Sequence, residues 1–366
     1  MKKLIALILA LAMALSMSAC GTSAEPTEAP KQTEAPVQNE SEAPATRTFT
    51  DSTGREVTVD AEITRIAVSG PLAQQVLFSL APDKMIGIAT EWDSSAEQYL
   101  ATEYYNLPIL GQLYGGKGEM NLEELLSAAP QIVIDVGESK GDVGADMDAL
   151  QEQTGITFVH VSATLSTMGD AYRMLGELLG MEEEAKQLAT YCESTYSRIM
   201  EIVGSVEKAN LLYVTGEEGL NVIAQSAYHG EVIDLLGNNL AVMEEPSSKG
   251  SGNEVDMEQI LNWNPDVIIF SDESIFDTVG DDPMWQTVKA ISEDKFYEVP
   301  AGPYNWLGFP PSVQRLLGMM WMTKLLYPEA ADYDLYEEVK TFYDLFYHCE
   351  LTSEQFDALM ANSIGK

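Results

Sequence analysis

Residues 120–135 of this chain read MNLEELLSAAPQIVID, and residues 255–270 read VDMEQILNWNPDVIIF. The two segments align at a constant offset of 135, so that Glu123 matches Glu258. A period of this length is the size of a domain, whereas solenoid and propeller repeats span about 20–50 residues. The repeat therefore predicts two similar lobes with a cleft between them.

Each copy of the repeat predicts a helix followed by a strand. The helix begins at a residue that caps N-termini well, Asn121 or Asp256. Nine residues later a proline ends it, because the ring cannot continue the hydrogen-bond ladder. The β-branched run that follows predicts a strand buried on both faces of a parallel sheet. Apolar residues with the spacing of one helical face lie in between: Leu122, Leu125 and Leu126, and Met257, Ile260 and Leu261.

The order of elements along the chain predicts an α/β fold. We predict two Rossmann-like lobes with parallel-rich sheets, at 48–166 and 207–366, and a ligand cleft between them. The longest helical pattern, at 167–206, falls between the repeat copies, so we expect a long rigid helix that joins the lobes. Strands are predicted at 65–69, 85–89, 158–161, 211–214 and 296–299, after a hairpin at 48–59.

The N-terminus has the pattern of an exported protein. Two lysines and a short apolar run predict a signal peptide at 1–19, because a bilayer span needs about 20 apolar residues. The small residues before Cys20 resemble the lipobox of bacterial lipoproteins, in which this cysteine becomes lipidated; an ordinary secretory signal is the alternative. Residues 20–47 repeat Thr-Glu-Ala-Pro, and we expect a disordered linker there.

Charge and cysteine content limit the possible partners. The formal net charge is −38, which argues against nucleic acid and against polybasic membrane docking. Only Cys192 and Cys349 follow Cys20, and the sequence leaves open whether they form a disulfide or stay free. We expect a monomer whose membrane contact is the lipid on Cys20.

These features resemble the helix-linked class (class III) of substrate-binding lipoproteins of ABC importers, over residues 48–327. The resemblance implies a non-enzymatic receptor without a resident cofactor, which captures an iron complex (a ferric siderophore or haem) or cobalamin and delivers it to an ABC permease. Some helix-linked relatives bind molybdate or tungstate, and this is the alternative cargo. The motifs that carry the resemblance are Phe49-Thr50-Asp51, Gly54-Arg55, the first repeat copy, Tyr304-Asn305-Trp306, Pro310-Pro311-Ser312 and Arg315-Leu316-Leu317-Gly318.

The candidate ligand-binding residues lie in loops beyond the carboxyl ends of the predicted strands, where wound α/β sheets bind ligands. Aromatic rings there would stack on a planar cargo, although Trp92 and Trp306 are alternatively core residues. His229 is a possible iron ligand, hydrogen-bonding group or solvated side chain. We predict no catalytic or resident-metal residue. The candidates are Ser69, Gly70, Pro71, Trp92, Gln112, Tyr114, Gly115, Lys117, Glu138, Ser139, Gln225, Ser226, Tyr228, His229, Tyr304, Asn305, Trp306 and Arg315.

Glu123 and Glu258 open the two matching helices. A carboxylate in a first helical turn gains about 0.3–1 kcal/mol from the helix dipole, which by itself explains an acid at both positions. In the family that the chain resembles, however, a glutamate at this place in each lobe docks onto arginines of the permease dimer. The resemblance therefore assigns transporter docking to Glu123 and Glu258.

Two other classes of function are weighed against the receptor. An exported hydrolase is disfavoured because we identify no Gly-x-Ser-x-Gly nucleophile elbow, no His-Glu-x-x-His motif and no Cys/His cluster, and because the chain has only three histidines. An adhesive or scaffold lipoprotein would need a flat surface instead of a deep cleft.

Overall fold

A computed structural model describes residues 45–113, 119–139 and 141–364 of the protein. The predicted signal peptide, Cys20 and nearly all of the predicted linker lie outside these ranges. The first strand begins at Thr46, so the last two residues of the predicted linker belong to the folded part. The predicted domain boundaries otherwise stay a prediction.

The described chain alternates strands and helices, as the α/β prediction requires. The strands are β1 Thr46–Thr50, β2 Glu56–Asp60, β3 Ile66–Val68, β4 Ile132–Gly137, β5 Thr157–Ser162, β6 Asn210–Thr215, β7 Asn221–Val222, β8 Asn238–Asn239, β9 Asn253–Glu254, β10 Val267–Phe270 and β11 Phe296–Glu298. The helices are α1 Pro71–Leu80, α2 Thr102–Tyr105, α3 Leu122–Ala128, α4 Val143–Thr154, α5 Met168–Leu179, α6 Glu182–Gly204, α7 Glu231–Leu236, α8 Met257–Trp263, α9 Phe276–Val279, α10 Lys289–Ser292, α11 Arg315–Leu326, α12 Leu335–Tyr347 and α13 Ser353–Met360.

The first sheet has the order β3-β4-β5 and is parallel throughout. Every residue of β4 is buried, as expected of a central strand covered on both faces. The strand predicted at 85–89 is not formed. Only single bridges occur there, from Met85 to Ile66 and from Ile88 to Ile109, because the segment pairs with two different neighbours for one residue each.

The second sheet is mixed and has the order β11-β10-β6-β7-β9, with β8 beside β6. Its strands β6, β8, β10 and β11 are parallel to one another, whereas β7 is antiparallel to its neighbours β6 and β9. In both sheets the strand that follows the repeated helix, β4 or β10, therefore lies between two parallel neighbours. This arrangement confirms the α/β fold.

The repeated segment folds in the same way in both copies. Helices α3 and α8 each have seven residues, and their N-caps, Asn121 and Asp256, accept hydrogen bonds from first-turn amides. Each helix ends at a left-handed residue, Ala129 or Asn264. The two segments that match in sequence at this offset therefore also share one local structure.

Two helices occupy the predicted linking segment. Helix α5 ends at Gly180, which adopts φ +66°, and the 23-residue α6 follows. The two helices pack closely, because a Cβ added at Gly176 would lie 2.5 Å from the Cβ of Ala185. Larger side chains at Gly176 would force α5 and α6 apart.

Both cysteines in the described part of the chain are free thiols. Cys192 is buried in α6, and its pKa is raised by burial. Cys349 follows α12 and is half-buried. Among the residues that the structure describes, no helix combines the length and the apolar composition needed to cross a membrane.

Candidate functional site

A cavity of about 400 Å³ lies between loops that follow the first sheet and loops from the second half of the chain. We call it the main cavity. From the first half it is lined by the end of β4 and by the start of α1, and from the second half by the turn before α7 and by a Pro-Pro pair. The lining residues are Ser69, Gly70, Pro71, Leu72, Ala73, Asp135, Val136, Gly137, Glu138, Val143, Tyr228, His229, Ser248, Pro310 and Pro311.

The N-terminus of α1 opens into the main cavity. Gly70 is the extended N-cap and Pro71 is the first helical residue, which pre-sets the backbone angle of the first turn. The first helical hydrogen bond runs from the Gln74 amide to the Gly70 carbonyl. The amides of Leu72 and Ala73 therefore have no acceptor within the helix, and they favour a negatively charged or carbonyl group in the cavity.

A chain of hydrogen bonds holds the polar wall of the main cavity. The Ser69 hydroxyl donates to Asp135 Oδ1 in a short contact, and Asp135 Oδ2 accepts from His160 Nδ1 at 2.7 Å. Because a carboxylate only accepts, Nδ1 carries the proton and His160 Nε2 accepts from a hydroxyl. The Ser139 and Ser162 hydroxyls lie 2.9 and 3.2 Å from Nε2. His160 is therefore a buried residue of β5 with both ring nitrogens hydrogen-bonded.

The hydrogen bonds join Ser139 to His160 and His160 to Asp135, as in a serine-hydrolase triad. Residues 137–141 also have the Gly-x-Ser-x-Gly spacing of nucleophile elbows, a match that our sequence-based prediction overlooked. The arrangement differs from an isolated triad in two ways. His160 Nε2 is shared between two serine hydroxyls, and Asp135 is shared with Ser69.

His229 and Tyr228 form the wall of the main cavity opposite α1. His229 Nδ1 donates to the Gly308 carbonyl at 2.7 Å, and its ring stacks on Phe309 at 5.0 Å. In the neutral side chain this bond places the lone pair on Nε2. Burial raises the pKa of the Tyr228 hydroxyl to about 12, so it stays protonated at neutral pH.

Arg315 does not line the main cavity, contrary to the prediction. Its side chain is 2% exposed, and it pairs with Glu231 Oε2 at 2.5 Å behind the Tyr228 ring. Burial raises the pKa of Glu231 although Arg315 opposes that shift. Among the lining residues that the structure describes, none is a lysine or an arginine.

A second, more polar cavity of about 600 Å³ shares Pro310 with the first. Three predicted residues line it: Trp92, Tyr304 and Asn305. Trp92 is largely buried, and its indole N–H donates to the Tyr104 carbonyl at 3.2 Å. The Tyr304 hydroxyl accepts from Gln74 Nε2 at 3.2 Å. Acidic side chains dominate the polar lining: Glu91, Asp93 and Asp272.

Other predicted residues lie away from both cavities. Trp306 is 0% exposed and belongs to the core, which is the alternative that the sequence left open. Gln112 is buried at a bridge to Glu119, and Gln225 and Ser226 are exposed on the surface. Ser139 lines a third, shallower cavity beside α4. Tyr114, Gly115 and Lys117 lie outside the described residues.

Several lining residues were missing from the sequence-based list. Asp135 lies within the strand that follows the first repeated helix, whereas the strand-end rule selected only residues that come after the strands. Pro310 and Pro311 belong to a motif that carries the family resemblance, but no ligand contact was predicted for them. Val143 and Ser248 carry no signal of their own in the sequence, because only packing brings them to the cavity.

Glu123 and Glu258 are both exposed in the first turns of α3 and α8. Neither side chain makes an ion pair with a residue that the structure describes. Within the same described ranges, no group of three or more His, Cys, Asp or Glu side chains is arranged to hold a metal ion.

Comparisons with known proteins agree with this architecture. A molybdate-binding protein of Haemophilus influenzae is 24% identical over 330 residues, which is 83% of this chain and 91% of that protein. An iron-uptake system-binding protein of Bacillus subtilis is 23% identical over 81% of this chain and 90% of its own length. The structure of an ABC transporter solute-binding protein from Sulfurospirillum deleyianum matches with a TM-score of 0.79 and 28% identity, over 86% of this chain and 99% of that one.

The model of the periplasmic binding protein family matches residues 74–303, more than half of the chain. The structure of a TroA-like periplasmic binding protein from Veillonella parvula has the same fold, with a TM-score of 0.64 and 19% identity over 83% of this chain and 97% of that one. The chain therefore belongs to the periplasmic binding protein family, as a solute-binding protein of ABC transporters.

Proposed function

We propose that this protein captures an organic metal complex, such as a ferric siderophore, haem or cobalamin, in the main cavity and delivers it to an ABC permease. The observation that best supports this proposal is the composition of the cavity lining. Its volume of about 400 Å³ is within the usual range for small-molecule sites, and its walls are mostly apolar with a few polar groups. Such walls suit an organic shell around a metal better than a bare, hydrated ion.

The charge of the lining limits the cargo further. Asp135 and Glu138 contribute carboxylates, and lysine and arginine are missing from the part of the lining that the structure describes. A triply anionic chelate would meet repulsion there without an opposing cation. A neutral or weakly charged complex therefore fits best.

Molybdate or tungstate is the second candidate cargo. The free amides at the start of α1 supply the donors that an oxyanion needs. The relative from Haemophilus influenzae, which binds molybdate, adds support. The apolar remainder of the cavity favours the organic complex over this alternative.

The proposed route of delivery follows the predicted layout. The lipid on Cys20 would hold the protein on the outer face of the cell membrane, and Glu123 and Glu258 would meet the permease. We propose that the protein acts as a monomer without a resident cofactor. Helices α5 and α6, between the predicted lobes, would limit the relative motion of the lobes during capture and release.

We propose that Ser139, His160 and Asp135 have a structural role and not a catalytic one. Ser139 and His160 would hold the Asp135 carboxylate in place at the cavity. Purified protein should therefore hydrolyse p-nitrophenyl acetate at the same rate with or without Ser139→Ala. His160→Ala should lower the free energy of unfolding by about 2 kcal/mol, because it removes a hydrogen bond to a charged group. A rate that depends on both Ser139 and His160 would instead establish a hydrolase.

A thermal-shift screen tests the receptor directly. Haem, cobalamin, ferric siderophores and molybdate are each added to the full chain, and a ligand at 100 times its Kd should stabilise the fold by about 2.7 kcal/mol. Leu72→Trp would fill the main cavity and should abolish the shift. Ser94→Trp, in the second cavity, is the matched control and should retain it. If no cargo shifts the wild type, the receptor proposal fails.

A further inference from the structure

Two side-chain hydrogen bonds join the start of α1 to the second half of the chain, which forms the opposite wall of the main cavity. Gln74 Nε2 donates to the Tyr304 hydroxyl, 230 residues away, at 3.2 Å. The Ser312 hydroxyl donates to the Leu72 carbonyl, also at 3.2 Å. Gln74 and Ser312 are both 0% exposed, so water does not compete for these bonds. We call them the bridging bonds.

The backbone of the first half fixes the direction of the Gln74 amide group. Gln74 Oε1 accepts from the amides of Ala89 at 2.8 Å and Thr90 at 3.2 Å. These amides lie at the end of the segment where the expected strand is not formed, so the side chain supplies bonds that a neighbouring strand would otherwise supply. Because an amide oxygen accepts and an amide nitrogen donates, Nε2 is left to face Tyr304.

The segment that receives the bridging bonds is braced within the second half. Asn305 Oδ1 accepts from two backbone amides of the turn that follows it, at 2.9 and 3.2 Å. Gln314 Nε2 donates to the Asn305 carbonyl at 3.1 Å. Residues 310–311 of this segment line the main cavity. Bonds to Tyr304 and Ser312 therefore fix the distance from α1 to that wall.

Burial alone does not produce such bonds on α1. Gln75 is 2% exposed, yet neither of its amide atoms has a hydrogen-bond partner in the part of the chain that the structure describes. Ser79 is also buried, and the partners of its hydroxyl are carbonyls of α1 and the Tyr172 hydroxyl of α5. Gln75 and Ser79 are thus matched controls for Gln74 and Ser312.

We propose that Gln74 and Ser312 are positioning residues of the main cavity, which hold the start of α1 at the distance from the opposite wall that the cargo requires. This inference rests on the proposed function and adds the groups that set the width of the site. Neither residue is among the described residues that line the main cavity, so both act through α1. Without the bridging bonds, the walls sample wider spacings and fewer molecules are ready to bind. The apparent Kd then rises by the inverse of the binding-ready fraction.

Two double variants of the full chain test this inference. The bridging variant, Gln74→Met with Ser312→Ala, removes both bonds between the halves. The control variant, Gln75→Met with Ser79→Ala, removes the same types of buried group from α1 and leaves the bridging bonds intact. Where the bridging variant does not fold, Ser312→Ala alone replaces it, with a smaller change in the same direction.

Electron paramagnetic resonance measures the spacing of the two halves without any cargo. Spin labels are attached at Gln153→Cys in α4 and Asp277→Cys in α9, both exposed positions. Cys20→Ser and Cys349→Ser remove competing thiols, and Cys192 is buried. The bridging variant should broaden the distribution of distances between the labels, and the control variant should not. A loss of stability alone leaves this distribution unchanged.

Cargo affinity tests whether this spacing matters for binding. The probe is whichever of haemin, cyanocobalamin, ferrichrome and molybdate stabilises the wild type in the thermal-shift screen. The bridging variant should bind it about tenfold more weakly, as expected when about one molecule in ten is ready to bind. The control variant should bind it as tightly as the wild type.

The two measurements separate the possible failures. An unchanged distance distribution in the bridging variant overturns the inference, and so does a broadened distribution with unchanged affinity. Equal effects in the bridging and control variants also overturn it. If no probe stabilises the wild type, the receptor proposal fails and the positioning role fails with it, whereas a probe that binds both variants like the wild type sinks the positioning role alone.

Discussion

Cells that carry Glu123→Ala together with Glu258→Ala should lose cargo uptake, while the purified variant binds its cargo as tightly as the wild type. Both side chains are exposed and lie outside the two cavities. Removing a first-turn carboxylate costs about 0.3–1 kcal/mol of helix stabilisation, which is too little to unfold the protein. Each single variant should retain part of the uptake, because one contact remains.

A pair of acids elsewhere controls for net charge. Glu152→Ala with Glu207→Ala removes the same two negative charges from exposed positions outside the repeat. This variant should transport normally. The docking assignment is contradicted if the Glu123 and Glu258 pair transports at the wild-type rate, or if the control pair fails to the same degree.

Trp306→Ala should lower the free energy of unfolding by about 3–5 kcal/mol and leave cargo affinity unchanged in the protein that remains folded. The indole is fully buried in the main core, and its N–H donates to the Gly302 carbonyl at 3.5 Å. The loss therefore comes from the removed transfer energy and from the remaining hole. Denaturant unfolding and a cargo titration on the same preparation measure the two quantities.

The partly exposed Trp263 is the matched control for this prediction. Trp263→Ala should cost much less stability, because part of its ring is already in water. A tenfold loss of cargo affinity in Trp306→Ala, without a large change in unfolding, would return Trp306 to the list of ligand contacts.

The sequence predicted the fold well because its signals are local. N-caps, helix-ending prolines and buried β-branched runs act within a few residues of the chain, and both copies of the repeat formed as expected. The strand predicted at 85–89 failed, because its apolar run lacks a partner strand of matching length. An apolar run favours extended backbone, but a strand also needs a neighbouring strand with which it can form a ladder of hydrogen bonds.

The candidate site was predicted only in part because side-chain direction depends on packing. Ser69, Pro71 and His229 reach the main cavity, as the strand-end rule indicates. Arg315 belongs to a motif that carries the family resemblance, and we predicted that its charged side chain contacts the cargo. In the structure it is buried against Glu231, because every residue from Arg315 to Thr323 of α11 is buried.

The amino-acid sequence by itself determined the repeated unit, the α/β class and the two glutamates that open matching helices. These follow from short-range geometry and from an offset that can be counted. Only the tertiary structure decided which loop residues meet in a cavity, and that Leu126 and Leu261 stay about half-exposed. The reason is that apolar spacing marks one face of a helix, whereas the width of the covered strip depends on the neighbours that pack against it.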